Sequence, residues 1–146
     1  MKIFVINGPN LNFLGIREPN HYGNESYDDL CALIRAHAKK RGVEVEIFQS
    51  NHEGDLVDAI QSAYGKACGI VINPAAYTHT SVAILDAVKS VSLPTVEVHI
   101  SKVSEREAFR QVSFIRSACI ATVEGRGFQG YLDAMDLILD GGAKTV

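Results

Sequence analysis

The strongest constraint on the fold is an alternation of short apolar runs with helical patterns, repeated about five times along 146 residues. The apolar runs, rich in β-branched and aromatic residues, cover residues 2–6, 43–48, 69–73, 94–101 and 119–124. The first and third runs show no polar alternation, which is typical of strands covered on both faces in a parallel sheet. The second run alternates, which indicates a more exposed strand.

Helical periodicity fills the intervals between the strands. The repeating apolar positions are Leu30, Leu33, Ile34 and Ala38, then Leu56, Ile60 and Ala63, then Ile84, Ala87, Val88 and Val91, and finally Leu132, Met135 and Leu139. Ser26 with Asp29 resembles a capping box, and Gly42 suits a C-terminal end. A Ser-x-x-Glu box at Ser104 and Glu107 predicts another helix after the fourth strand.

The third of these helices is entered through Thr80 or Ser81, and the last stops at Gly141. Strand and helix in alternation predict an α/β fold, a three-layer sandwich with a five-stranded parallel sheet and helices on both faces. The flavodoxin-like strand order 2-1-3-4-5 is assigned by analogy. We expect a single domain over residues 1–146.

Charge and cysteine content narrow the classes of protein. A net charge of -3 and a pI near 5.9 argue against a nucleic-acid protein, which would carry a basic patch. Cys31, Cys68 and Cys119 are odd in number and lack CxxC spacing, so reduced thiols in a cytoplasmic protein are expected. No apolar run approaches the ~20 residues of a membrane span.

Polar side chains follow the strands at the edge where ligands bind in such folds. They are Asn7 and Asn10, then Gln49, Ser50, Asn51, His52 and Glu53, then Asn73, Tyr77, Thr78, His79, Thr80 and Ser81. Each one alone could be a turn or cap residue. Together they predict a pocket for a ligand rich in hydroxyl and carbonyl groups.

The sharpest element is "EVHIS", because Glu97, His99 and Ser101 share one face of the fourth strand. A carboxylate two residues from a histidine accepts its ring N–H, fixes its tautomer and prepares it for acid–base work. The alternatives are a structural, half-buried pair, or a zinc site with His79. No ligand spacing supports the zinc site.

Other ligand classes lack their motifs. Neither GxGxxG nor GK[ST] occurs, so the phosphate cradles of Rossmann and P-loop proteins are missing. Arg106 and Arg110 lie four apart on the predicted helix after "EVHIS". They form either a solvated pair or a contact with an anionic or hydroxylated ligand.

Four motifs in order, "INGPNLNFLGIREPNHYG", "QSNHEGDLVDAIQ", "VINPAAYTHTSVAILDA" and "VEVHIS" with "REAFR", resemble the type II 3-dehydroquinate dehydratases. The resemblance extends to "GFQGY" at residues 127–131. It implies a catalytic domain that eliminates water from 3-dehydroquinate in the anti sense, through an enolate, without metal or cofactor. It implies a homo-oligomer, a dodecamer of four trimers. The product is 3-dehydroshikimate, in the shikimate pathway to chorismate and aromatic amino acids or in quinate catabolism.

The resemblance also assigns roles by position. In catalysis, the resemblance implies that Tyr22 is the base and that Arg17 lowers its pKa. It implies that Asn10 holds a water against the enolate oxygen, that His99 is the acid and that Glu97 orients His99. The roles for binding are Asn73, His79 and Arg110 on hydroxyls, Ile100 and Ser101 on the carboxylate, and Asp86 reaching a neighbouring subunit's site. An arginine beside Tyr22 favours its phenolate, because an opposite charge stabilises the charged form.

The chain differs from the family pattern at three positions. Lys102 replaces the usual Asn and adds a cation beside the carboxylate clamp, while Phe13 and Ala75 replace Leu and Gly and are expected to be benign. Two other functions remain open: a non-catalytic module that binds a polyhydroxylated carboxylic acid, and a flavin carrier.

The segment at about residues 13–24 is predicted to be a mobile lid. Gly15 and Gly23 bracket it, and closure over bound substrate would bring Arg17 and Tyr22 in together.

Overall fold

The computed structural model describes residues 1–16 and 25–141, and within these ranges five parallel strands form one sheet. The strands are β1 (Lys2–Asn7), β2 (Glu44–Gln49), β3 (Gly69–Asn73), β4 (Thr95–His99) and β5 (Ala121–Glu124). Their order across the sheet is β2-β1-β3-β4-β5, and each neighbouring pair is parallel. The predicted fold class and strand order are therefore confirmed.

Four α-helices cover the two faces of this sheet. They are α1 (Tyr27–Arg41), α2 (Glu53–Ser62), α3 (Val82–Val91) and α4 (Gln129–Leu139). Because strand side chains alternate, Ile3 and Val5 of β1 belong to one core with α1 and α4. Phe4 and Ile6 belong to a second core with α2 and α3. None of the described helices is both long and apolar enough to cross a lipid bilayer.

Local signals set the helix ends where the sequence predicts them. The Ser26 hydroxyl accepts from the Asp29 amide and the Asp29 carboxylate accepts from the Ser26 amide, a complete capping box. Gly42 ends α1 at a φ of 70°, the left-handed conformation that glycine adopts without strain. Ser81, one of the two predicted entry residues, caps α3 by accepting from the Ile84 amide at 2.9 Å.

The prediction of a helix after β4 is wrong. That segment forms three short 3₁₀ helices instead, Val103–Glu105, Ala108–Arg110 and Arg116–Ala118. Ser104 does not cap, because its hydroxyl donates to the Glu124 carboxylate on β5 at 2.9 Å. The Glu107 carboxylate accepts from Arg110 Nε at 2.9 Å, and extended backbone at Arg106 interrupts the helical path.

Gln111 stabilises this irregular segment. Its side-chain amide donates to the carbonyls of Val103, Arg106 and Glu107 at 2.9–3.2 Å. The Val103 and Glu107 carbonyls also accept from the Arg106 and Arg110 amides, so Gln111 links two adjacent 3₁₀ turns. The segment is therefore held in a compact form without regular secondary structure.

A buried polar chain joins the carboxyl ends of β1 and β3 to α4. The fully buried Tyr131 hydroxyl donates to Asn7 Oδ1 at 2.7 Å and accepts from Asn73 Nδ2 at 3.0 Å. Burial raises the pKa of the Tyr131 phenol, so it stays protonated and able to donate. Asn73 Oδ1 in turn accepts from the Ala75 amide at 3.1 Å. The chain fixes the two loops that leave these strands.

The same two loops also meet through backbone. The Gly8 amide donates to the Asn73 carbonyl at 2.8 Å. A Cβ at Gly8 would lie 2.4 Å from the Pro74 carbonyl oxygen, so only glycine permits this approach.

Tyr131→Phe is expected to lower the free energy of unfolding by about 1–3 kcal/mol, because it leaves Asn7 and Asn73 with buried, unsatisfied groups. Urea denaturation measures the change. The matched control is Tyr64→Phe, at a tyrosine that is 71% exposed, where a change within about 0.5 kcal/mol is expected. Equal effects of the two substitutions would contradict a stabilising role for the buried chain.

Candidate active site

A cavity of about 130 Å³ opens at the carboxyl ends of β1, β3 and β4. It is lined by Pro9, Asn10, Leu11, Asn73, Ala75, Ala76, His79, His99, Ile100, Ser101, Val103, Arg106 and Arg110. Seven of the eleven residues predicted for the site are among them: Asn10, Asn73, His79, His99, Ile100, Ser101 and Arg110. The strands thus bring together residues that are up to 100 positions apart in the chain.

His99 and Glu97 form a buried pair on β4. His99 is 6% exposed and Glu97 is fully buried. His99 Nε2 lies 2.5 Å from Glu97 Oε2, and because a carboxylate only accepts, Nε2 carries the proton and donates. This bond leaves Nδ1 as the ring nitrogen for a ligand in the cavity.

Glu97 stays ionised in spite of its burial. Burial alone would raise the pKa of Glu97, but the hydrogen bonds and charges of His99 and Arg116 outweigh it and hold that pKa below its ordinary value. A buried carboxylate is tolerated only when its lone pairs are satisfied. Glu97 is therefore ionised at neutral pH, directly behind His99.

Sequence reasoning missed three of the groups that satisfy Glu97. Its Oε1 accepts from Ser113 Oγ at 3.1 Å, Thr122 Oγ1 at 3.4 Å and Arg116 Nε at 3.4 Å. Its Oε2 accepts from Arg116 Nη2 at 3.3 Å. The burial of a charged Glu97 was a signal that a donor must exist, but no motif spacing pointed to Arg116.

His79 faces the cavity in a defined tautomer. Its Nδ1 lies 2.7 Å from the Val112 carbonyl, which only accepts, so Nδ1 carries the proton. Desolvation, with the charges of His99 and Arg110, lowers the pKa of His79 below its ordinary 6.5. A neutral imidazole with its proton on Nδ1 presents Nε2 as a hydrogen-bond acceptor.

Two arginines bring positive charge to the cavity wall. Arg106 and Arg110 both line it, from the irregular segment rather than from one helix face. Arg110 Nε lies 2.9 Å and Arg106 Nε 3.6 Å from the Glu107 carboxylate. Lys102 does not line the cavity, and its ammonium lies 3.4 Å from the Glu105 carboxylate.

Two wall residues have left-handed backbone. Asn10 has a φ of 70°, and its amide donates to Asn51 Oδ1 at 3.0 Å. Asparagine tolerates this region, but Ala75, at a φ of 54°, carries a Cβ that disfavours it. The expectation that alanine is benign here is wrong as far as backbone strain is concerned.

Of the other predicted residues, Glu97 lies behind His99 and does not itself line the cavity. Arg17 and Tyr22, with most of the predicted lid, lie outside the described residues. Asp86 is exposed on α3 and does not line the cavity of its own chain. In residues 1–16 and 25–141, no group of three or more histidine, cysteine, aspartate or glutamate side chains could hold a metal ion. The three cysteines are free thiols.

The His79 imidazole is expected to titrate with a midpoint below its ordinary 6.5. Stability linked to His79 is therefore complete above pH ~6.5 and is lost as the pH falls towards the depressed folded value. Nuclear magnetic resonance titration of the ring resonances, assigned with His79→Gln, measures this midpoint. A midpoint above 6.5 would contradict the neutral acceptor.

Ala75→Gly is expected to raise the free energy of unfolding by about 0.5–1 kcal/mol. It relieves the strain of a Cβ at positive φ, and this gain is larger than the loss that comes from the greater conformational entropy of glycine in the unfolded chain. Ala76→Gly is the matched control, since Ala76 is exposed and lacks a positive φ. It should destabilise the protein in urea denaturation. The same sign for both variants would contradict strain at Ala75.

The chain resembles known proteins along nearly all of its length. The model of the family described as dehydroquinase class II matches residues 1–139. A 3-dehydroquinate dehydratase of Clostridium acetobutylicum is 56% identical over 132 residues, which cover 90% of this chain and 92% of that protein. One from Corynebacterium glutamicum is 55% identical over 137 residues, 94% of each chain.

A solved structure supports the same assignment. The crystal structure of type II dehydroquinase from Butyrivibrio crossotus matches with a TM-score of 0.94 at 55% identity, over 95% of this chain and 97% of that one. The chain therefore belongs to the dehydroquinase class II family, a family of hydro-lyases.

Proposed function

We propose that the protein dehydrates 3-dehydroquinate to 3-dehydroshikimate by anti elimination through an enolate. The observation that carries the proposal is the buried Glu97–His99 pair at 2.5 Å, which opens onto a cavity with two arginines. A module that only binds a polyhydroxylated acid has no use for a buried acid–base pair. Family membership supports the same substrate.

Binding is assigned to groups with matching polarity. The guanidinium of Arg110, the backbone N–H groups near Ile100 and Ser101 and the neutral His79 together suit a ligand with one carboxylate and several hydroxyls. His79 Nε2 accepts from a substrate hydroxyl, because Nδ1 is committed to Val112. Asn73 has one Nδ2 proton beyond the Tyr131 bond to offer to a hydroxyl.

The first chemical step removes a proton from the carbon next to the ketone. Tyr22 as phenolate takes this proton, and the adjacent Arg17 cation favours the phenolate over a phenol of ordinary pKa ~10. The electron pair moves onto the ketone oxygen to give an enolate. A water held by Asn10 donates to that oxygen and stabilises its charge.

The second step expels the hydroxyl group on the carbon beyond. His99 donates its Nδ1 proton to this oxygen, so that water leaves as the enolate collapses to a conjugated carbon–carbon double bond. Because Nε2–H is bound to Glu97, the acid form is the imidazolium, whose second proton lies on Nδ1 towards the cavity. Proton balance is restored when Tyr22 loses a proton and His99 regains one.

Three further parts of the proposal concern the setting of the reaction. The lid at residues 13–24 supplies Arg17 and Tyr22, and the enzyme acts in the cytoplasm in the shikimate pathway or in quinate catabolism. A homo-oligomer, with Asp86 near a neighbouring subunit's site, is supported by the exposed Val82 beside Asp86 on α3. Val82 is 54% exposed and Leu85 is only partly buried, so apolar surface lies beside Asp86 on this helix.

Purified protein with 3-dehydroquinate is expected to develop the ultraviolet absorbance of the conjugated enone. Tyr22→Phe and His99→Asn should each lower kcat by about 10²–10⁴, because each removes a proton-transfer group. The matched controls are Tyr64→Phe and His52→Asn, at exposed positions. Chelator and borohydride should not change the rate.

The outcomes separate the candidate functions. Binding without turnover by the unaltered protein would favour the non-catalytic module. Full activity of Tyr22→Phe would overturn the assigned base, and a yellow protein would point to a flavin carrier.

A further inference from the structure

Arg116 contacts the carboxylate of the acid–base pair and does not line the cavity. We propose that Arg116 is a positioning residue that orients the Glu97 carboxylate towards His99 and weakens the hold of the pair on its proton. The inference rests on the proposed function for its catalytic meaning, but its electrostatic part concerns the free protein.

The guanidinium reaches both carboxylate oxygens. Nη2 lies 3.3 Å from Oε2, the oxygen that accepts from His99, and Nε lies 3.4 Å from Oε1. Two donors on one rigid group fix the carboxylate in its plane, which a single hydroxyl does not. Ser113 and Thr122 add hydrogen bonds to Oε1 alone. Arg116 therefore bridges the two oxygens of Glu97.

The position of Arg116 lets it act without touching a ligand. It begins the 3₁₀ helix Arg116–Ala118 and does not line the cavity. Its side chain is 48% exposed while that of Glu97 is fully buried. The cation thus stays partly hydrated, and its removal would leave no cavity in the core. Neutral variants are therefore expected to fold.

The sign of the charge effect follows from the geometry. A fixed cation beside Glu97 offsets part of the negative potential that the carboxylate exerts on His99. Arg116 is one of the groups that hold the pKa of Glu97 below its ordinary value, and the same cation lies beside the oxygen that accepts from His99. A His99 that releases its proton more readily is a stronger acid for the departing hydroxyl.

Other charged groups near the pair do not remove this effect. His79 faces the pair from the 3₁₀ helix Ala75–His79, and desolvation lowers its pKa, which disfavours a positive charge there. Arg106 and Arg110 lie on the cavity side and keep their charge throughout the accessible pH range. Burial, with the negative charge of Glu97, raises the pKa of Cys119 to about 12, so its thiol is neutral.

The alternative is a purely structural role, in which Arg116 is a tether: its contact with Glu97 only holds residues 100–118 against the sheet. A tether would change stability without changing the titration of the pair. The experiment therefore compares Arg116→Gln and Arg116→Met, which are neutral, with Arg116→Lys, which keeps the charge. Arg35→Gln, at an exposed arginine of α1, is the surface control.

Two measurements are made on each protein: the His99 ring titration by nuclear magnetic resonance without ligand, and the pH profile of kcat/KM. Both neutral variants should shift the apparent pKa of the pair upwards by about 1 unit and displace the pH profile in the same direction. Arg116→Lys keeps the charge, so its apparent pKa and pH profile should stay close to those of the unaltered protein. Arg35→Gln should leave both measurements unchanged.

Each outcome decides a separate point. An unchanged titration in both neutral variants, with only a loss of stability, would overturn the inference in favour of the tether. If the unaltered protein failed to convert 3-dehydroquinate, the proposed function would fall, while the titration without ligand would still decide the role of Arg116.

Discussion

The burial of one ionised carboxylate is the constraint around which the site is arranged. Glu97 lies in the interior of the sheet with no exposed surface, where an unpaired charge would be strongly destabilising. Its two oxygens accept from groups on β4, β5 and the segment between them. The segment between β4 and β5 supplies two of these donors, Ser113 and Arg116. Its irregular path, in place of a regular helix, is consistent with the need to bring both side chains to Glu97.

A second buried polar chain plays the same part for the other strands. Asn7 and Asn73 end neighbouring strands in register, and Tyr131 bridges their side chains. The bridge holds the loops after β1 and β3, which carry Asn10 and His79, in a fixed relation. Groups locked by buried hydrogen bonds lose little orientation when a ligand binds, which is what a preorganised site requires.

Much of this arrangement could be predicted from periodicity alone. Apolar runs, continuous in β1 and β3 and alternating in β2, predicted the strands. The alternation in "EVHIS" placed Glu97 and His99 on one face, because it reflects local backbone geometry. Arg116 and the 3₁₀ path could not be predicted, because they arise from long-range satisfaction of a buried charge. The Ser104–Glu107 box was misleading for the same reason, since each side chain found a partner other than the helix backbone.

The two histidines of the cavity show how the partner of one ring nitrogen decides the chemistry of the other. His79 donates Nδ1–H to a neutral carbonyl in a partly desolvated position, which favours the uncharged ring and leaves an acceptor. His99 donates Nε2–H to the Glu97 carboxylate, which leaves Nδ1 as the ring nitrogen on the cavity side. A hydroxyl-rich acid in this cavity therefore meets an acceptor and a proton donor on separate walls. In the proposed reaction, this difference separates the hydroxyl that His79 holds from the hydroxyl that His99 protonates.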